Sequence, residues 1–259
     1  MEHIYPAFEH GRIMKKELLW ALRDYSYSAL QLQYQDYPDG IISGCHISIR
    51  DDMLIVGKGI VKCQNFIFLL TEEEQIPYAP TEVYVSLKFR VKSIDGLPDY
   101  TRYVTEIVLD KDLERTENEL EICRFKLKEG AVLRTDYKDF YDIQTEFDTV
   151  NLADATWAAR GGNTLSKGVT DYFARKVLEC KGAGWEDVQF AYFLVQNKEA
   201  VTYSILRDYI VRKQIGESGK ADFQKTFQHL GEILEMIRGE HIISGPGRKG
   251  MGNRMIIMD

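Results

Sequence analysis

Residues 39–70 read DGIISGCHISIRDDMLIVGKGIVKCQNFIFLL. Apolar residues alternate or run in groups of two to five, and each group is bounded by a turn signal: Asp51-Asp52, Gly57 and Gly59, and Gln64-Asn65. Such short β-branched runs with polar punctuation read as consecutive antiparallel strands joined by tight turns. Downstream, Val83, Val85, Leu87, Phe89 and Val91 keep a clean period of two, the mark of a strand with one face in a core. Residues 93–98 read as a turn, residues 103–109 as the partner strand, and residues 120–127 as another. The spacing predicts about seven short strands between residues 41 and 128, arranged as an antiparallel sandwich or small barrel.

Upstream the texture is helical. No proline interrupts residues 13–35, and Tyr37-Pro38-Asp39-Gly40 closes the segment with a turn. Met14, Leu18, Tyr25 and Leu32 form one apolar stripe; Trp20, Tyr27 and Tyr34, at intervals of seven, form a second. An offset of two residues places the stripes roughly 200° apart around the helix. A helix apolar on both sides needs cover on both, one from its own domain and one from a further element or another subunit. Downstream, Tyr137, Phe140, Tyr141 and Phe147 stud an acidic stretch that reads as an aromatic connector, and Gly161-Gly162-Asn163 reads as a boundary. Helices are predicted at residues 167–180, 186–196, 204–213 and 221–238. Residues 240–259, Gly-rich between two apolar runs, read as a terminal hairpin. The resulting division is residues 1–38 as an extended lead and docking helix, 39–135 as a β-sandwich, 136–163 as the connector, and 164–259 as a helical domain. The fold class is α+β.

The chain has 259 residues, 44% of them hydrophobic, which suffices for a sizeable core. With 33 Lys and Arg against 40 Asp and Glu, its formal charge of −7 argues against a general polyanion binder, and no nucleic-acid partner is expected. No apolar run approaches the roughly 18 residues of a membrane span. The first residues carry no charged-then-apolar leader, so an intracellular protein is expected. Cys45, Cys63, Cys123 and Cys180 form no C-x-x-C, and the five histidines are scattered, which predicts buried free thiols and no metal built from local motifs.

Motifs for chemistry are weak. Gly245-Pro246-Gly247-Arg248-Lys249-Gly250 matches G-x-G-x-x-G literally, but a dinucleotide site needs an acidic residue about 20 positions on, and nine residues remain. A phosphate-binding G-x-x-x-x-G-K-[ST] and a G-x-S-x-G elbow are both missing from the sequence. The adjacent carboxylates (Asp51-Asp52, Glu72 to Glu74, Asp110 with Asp112) fall in turns and loops, where solvated charge explains them. No cofactor and no enzymatic activity are therefore expected. Two helices followed by a hairpin carrying Arg248, Lys249 and Arg254 have the order of a winged helix, which makes a DNA-binding protein the alternative. Against it, Lys225 and Arg238 are balanced by Asp222, Glu232 and Glu235.

Two stretches carry a resemblance. Residues 39–45, 53–61 and 65–69 resemble a module of the form G-[IV]-[IL]-S-G followed by L-x-[IV]-x-x-G-x-[IV], which recurs in phage tail baseplate and tail-fibre attachment proteins. Residues 6–27 (PAFEHGRIMKKELLWALRDYSY), with residues 137–146 (YKDFYDIQTE), look like a family of about this length encoded in the tail gene clusters of clostridial prophages and phage-tail-like bacteriocins. Members sometimes carry a helicase-like name, which the residues here do not support. The resemblance covers residues 1 to about 160. It implies a structural subunit of a contractile-tail baseplate, present in multiple copies. Its partners would be other baseplate and tail-fibre proteins or receptor-binding proteins. It would assemble in the bacterial cytoplasm and leave with the particle. Trp20, Tyr27, Tyr34, Tyr137, Phe140 and Tyr141 are the expected partner-binding residues, because large aromatics supply contact area at low entropic cost.

Overall fold

The computed structural model describes residues 10–11, 13, 15–96, 100–145, 147–215 and 221–239. It is an α+β fold. Helix α1 (Lys16–Gln33) leads into strands β1 (Gly40–Gly44), β2 (Ile47–Arg50), β3 (Met53–Val56), β4 (Gly59–Cys63), β5 (Phe66–Leu70), β6 (Glu74–Pro77), β7 (Val85–Gly96), β8 (Thr101–Asp110) and β9 (Glu119–Phe125). A 3-10 turn (Tyr141–Gln144) precedes β10 (Trp157–Ala159) and β11 (Gly162–Thr164). Helices α2 (Lys167–Glu179), α3 (Trp185–Gln196), α4 (Tyr203–Arg212) and α5 (Phe223–Arg238) follow.

The strands form three sheets, ordered β11-β10-β1-β4-β5, β2-β3-β6 and β8-β7-β9. The turn signals mark hairpins as expected: Asp51 (φ 53°) turns β2 into β3, and Gln64 and Asn65 (φ 52° and 61°) turn β4 into β5. Consecutive left-handed residues are what a two-residue hairpin loop of matching twist requires. The glycines of the quoted module have a specific cause. Gly44 and Gly59 face each other across β1 and β4. A Cβ on Gly44 would lie 2.1 Å from the Lys58 carbonyl oxygen, and one on Gly59 would lie 2.4 Å from the Cys45 sulfur.

Period-two alternation divides the sheet faces. Ile41 of β1 turns into the main core, with Leu54, Val56, Val61, Cys63, the β7 row from Val85 to Val91, Ile122, Phe125 and Trp157. Ile42, the next residue, turns to the other face and packs with Tyr34, Ile67 and Ala158. On the outer side of β7, Lys88 is buried but paired: its ammonium donates to the Glu114 carbonyl (2.6 Å) and to Glu119 (3.1 Å). Arg90 bridges Glu119 (2.6 Å), Asp110 (2.7 Å) and Glu106 (3.3 Å). Burial alone would raise the Glu119 carboxyl, but hydrogen bonds from Lys88, Arg90 and the Thr116 N–H outweigh it and hold it at about 2.

The four helices after residue 164 enclose a second core built on Phe173, Leu194, Leu206, Phe227, Leu230 and Ile233. Their bounds fall within two residues of the predicted ones at every end. Ser166 caps α2 by accepting from the Val169 N–H (3.3 Å), and Asp222 caps α5 by accepting from the Lys225 N–H (3.0 Å). Leu152 packs against both cores, so the sheets and the helices are continuous.

Three readings change. The turn placed at residues 93–98 is occupied by β7 as far as Gly96, because the β7–β8 ladder extends past a bulge between Val91 and Ser93. Residues 161–163 lie in the β10–β11 hairpin of the five-stranded sheet, where Ile41 and Trp157 pair in parallel. Strands of three residues with Ala and Gly at most positions carry no periodicity, so they read as a boundary. Among the thiols, Cys45, Cys63 and Cys123 are buried and Cys180 is half-buried. Burial pushes Cys45 up to about 12 and Cys63 up to about 11, which keeps both protonated and unreactive. The terminal hairpin and the Gly245 to Gly250 motif lie outside the described residues.

Candidate docking surface

Helix α1 has 18 residues and buries none of them. Its foot is anchored. Tyr34, directly after the last turn, is 5% exposed and packs on Ile42, Ile67 and Ala158, edge-on to Tyr37 at 5.3 Å. Lys62 of β4 is buried beneath it, and its ammonium donates to the carbonyl oxygens of Tyr34 (3.1 Å) and Tyr37 (2.7 Å). A cation at a helix C-terminus satisfies orphan carbonyls and opposes the negative end of the macrodipole. The Tyr37 hydroxyl donates to Glu199, and the Gly161 N–H donates to the Asp36 carbonyl (2.8 Å). Burial first, then the Glu199 carboxylate, push the Tyr34 and Tyr37 phenols above their ordinary range, so both remain neutral hydrogen-bonding groups.

Beyond this foot the helix presents Leu19, Trp20, Leu22, Tyr25, Tyr27 and Leu32, all between 47% and 65% exposed. Scattered exposed leucines are ordinary on a protein surface, but six large apolar residues on five turns make an exposed apolar surface of the kind that marks an interaction site. The helix N-cap is Lys15, without a side-chain cap. An isolated helix of this length is marginal in water, so packing against another body would stabilise it.

The six expected partner-binding residues separate. Trp20 and Tyr27 are exposed on α1. Tyr34 belongs to the foot and is not offered to a partner. Phe140 is 3% exposed and stacks on Phe227 of α5 with ring centroids 4.5 Å apart. Tyr137 is half-buried; its hydroxyl donates to the Val150 carbonyl (2.6 Å) and its ring meets Tyr172 edge-on at 5.6 Å. Tyr141 is 41% exposed, with its ring lying over Gly231 of α5, where a Cβ would come within 2.6 Å. The connector therefore spends most of its aromatic surface inside the chain, because α2 and α5 supply an apolar wall that residue spacing alone does not reveal. Arg134 secures it to the β-sheets by a fork on Asp142 (2.8 and 2.9 Å). That fork, with the Lys138 N–H and the Thr145 hydroxyl, holds the Asp142 carboxyl at about 2 against the opposing effect of burial.

A second exposed face lies away from the paired stripes of α1. On α3, Trp185, Tyr192, Phe193 and Val195 are exposed. The available signal is that residues 188–196 (VQFAYFLVQ) hold no charge and place apolar residues around the whole helix, more than one core can cover. The winged-helix reading falls on α4, α5 and residues 240–259. Helix α5 turns Phe227, Leu230, Ile233 and Leu234 inward; Lys225 and Arg238 are exposed with Glu232, and Glu235 is half-buried beside them, so the outer face has no basic excess.

Between the sheets and α5 lies a polar cleft of about 250 Å³, lined by Arg115, Arg124, Asp154, Thr156, Asn163 and Gln224. Its charged groups are engaged within the chain: Arg124 forks on Glu121 (2.5 and 2.7 Å), and Asp154 accepts from the Gln224 amide (2.6 Å). Among the described residues no cluster of three or more His, Cys, Asp or Glu could hold a metal, and no helix is long and apolar enough to cross a membrane.

No family model matches the chain, and no curated protein matches it. Among solved structures it is similar to one described as "Crystal structure of TssK", with a TM-score of 0.42 and 8% identity over 90% of this chain and 71% of that one. A likeness of that degree says nothing about activity or partners.

Proposed function

We propose that this chain is a structural subunit of a contractile-tail baseplate, of a phage or a phage-tail-like bacteriocin, and that it links the baseplate to tail fibres or receptor-binding proteins. The observation that carries the reading is α1: a helix fastened at one end by Tyr34 and Lys62, with Trp20, Tyr27 and four further large apolar residues exposed along its length. Rigid presentation of aromatic surface lowers the entropic cost of association. The resemblance of residues 6–27, 39–69 and 137–146 to tail-cluster proteins gives that surface its setting. In this reading the protein acts by assembly and not by catalysis. It occurs in several copies, gathers in the bacterial cytoplasm and leaves within the particle.

The test is incorporation. Trp20→Ala combined with Tyr27→Ala removes two exposed rings, each worth on the order of 2 kcal/mol in an interface centre. The variant should fold, with the far-UV spectrum of the parent, yet fail to co-purify with particles or neighbouring tail proteins. Undiminished incorporation would remove α1 from the interface.

A further inference from the structure

A sheet can be extended only at its borders, and one border of this fold differs from the rest. Strand β8 borders the sheet β8-β7-β9 and has 10 residues, against three to five for the strands bordering the other two sheets. The opposite border, β9, is closed within the chain. Arg124 exchanges backbone hydrogen bonds with Asn151 (3.1 and 2.8 Å), and the Thr156 N–H donates to the Glu121 carbonyl (2.8 Å). Among the described residues β8 pairs with β7 alone. Every second residue of such a strand turns its N–H and C=O away from the sheet. Natural edges deter pairing with Pro, Lys or a bulge. Strand β8 (TRYVTEIVLD) has neither residue, and the bulge in its ladder falls between Val91 and Ser93 of β7.

The residues of β8 select the occupant. Arg102, Val104 and Glu106 share its outer face, where Glu106 accepts from Arg90 (3.3 Å) and Lys92 (3.4 Å). Tyr103 lies on the inner face, stacked on Phe66 at 4.2 Å. Arg102 is exposed; it stands opposite Asp95 in the β7–β8 ladder but makes no ion pair among the described residues. Antiparallel pairing with β8 of a second copy, centred on Val104, sets Arg102 opposite Glu106 of the other copy on both sides of the two-fold axis. It also sets Tyr103 opposite Thr105, an aromatic beside a β-branched residue. Centring on Tyr103 or Thr105 sets Arg102 opposite a valine instead, and centring on Glu106 sets like charges together. One register is therefore self-complementary. A strand of another protein would have to supply a carboxylate and a cation at this same spacing, which a second copy carries by construction. Strand β6 runs close to β8, and the exposed residues of β8 (Thr101, Arg102 and Thr105) all lie in its first half, so the free length is residues 101–107.

We propose that β8 pairs with β8 of a second copy of this chain over residues 101–107, about Val104, joining the two three-stranded sheets into one. This goes beyond the docking role given to α1 and does not rest on it. So short a pairing is a small interface, and dimerisation is reversible in the range of about 1 to 100 µM.

Sedimentation velocity on the full-length protein over that range should show the mean mass rising from monomer towards dimer. Arg102→Glu, at an exposed position, sets carboxylates opposite each other and should raise the half-dimerisation concentration at least tenfold with an unchanged far-UV spectrum. Val104→Cys gives an independent reading of the register. Its Cβ atoms would meet across the axis at about 4.5–5.5 Å, so mild oxidation or a short thiol cross-linker should yield a covalent dimer. In Val108→Cys the same atoms lie about 27 Å apart, and no covalent dimer should form. The parent is the background control, since Cys45, Cys63 and Cys123 are buried and Cys180 half-buried. A single monomeric mass across the range overturns the pairing and leaves the edge to a strand of another protein. A dimer indifferent to Arg102→Glu, or cross-linking at position 108 equal to that at 104, overturns it as well.

Discussion

At the scale of single residues, two positions show how much a side chain's worth depends on its neighbours. Gly44 adopts φ 71°, and its missing Cβ is the space through which the Lys58 carbonyl passes. Gly44→Ala must strain the backbone and push β1 and β4 apart. A loss of about 3 kcal/mol or more is expected, which thermal melting would record as a fall of roughly 10 °C. Glu119 is held by Lys88 and Arg90 with its carboxyl at about 2. A carboxyl lower in the folded state than in the unfolded chain stabilises above its unfolded pKa, near 4.3, and loses that contribution as pH falls through the folded value. Acid titration of stability should thus show a loss between about pH 4.5 and 2 that Glu119→Gln abolishes. At neutral pH the same substitution should itself cost about 3 kcal/mol, because it takes the nearest carboxylate from the buried Lys88 and leaves it Asp110 at 3.7 Å.

At the scale of elements, the aromatic connector and α1, both expected to meet partners, part ways: the connector packs largely inside the chain and α1 stays exposed. Both carry several large rings within a short stretch. The connector's rings meet α2 and α5, so Phe140→Ala should act on stability, by about 3–5 kcal/mol measured in denaturant, with docking affected only through unfolding. The rings of α1 above Tyr34 meet no buried cluster among the described residues, so Trp20→Ala and Tyr27→Ala should act on assembly. Hydropathy cannot separate the cases, since a ring against a neighbouring helix and a ring against another subunit read alike. Helices α2 to α5 were legible because their periodicity, caps and glycine breaks agree. Strands β10 and β11 were not, because β10 joins β1 across more than a hundred residues and β11 joins only β10.

At the scale of the whole molecule, two cores joined through Leu152 make one continuous body from which one helix is displayed. A displayed helix with no buried residue makes incorporation with neighbouring proteins the informative measurement. Composition, turn residues and hydrophobic period were sufficient for the α+β class, the four later helices and most of the antiparallel strands up to Phe125, nine where about seven were expected, because those features are local; the polar β6 (Glu74–Pro77) carries no such signal. Which aromatics lie inside, how the β10–β11 hairpin rejoins the first sheet, and which side of α1 faces outward were decided by long-range packing. That packing depends on surfaces that meet only after the chain has folded.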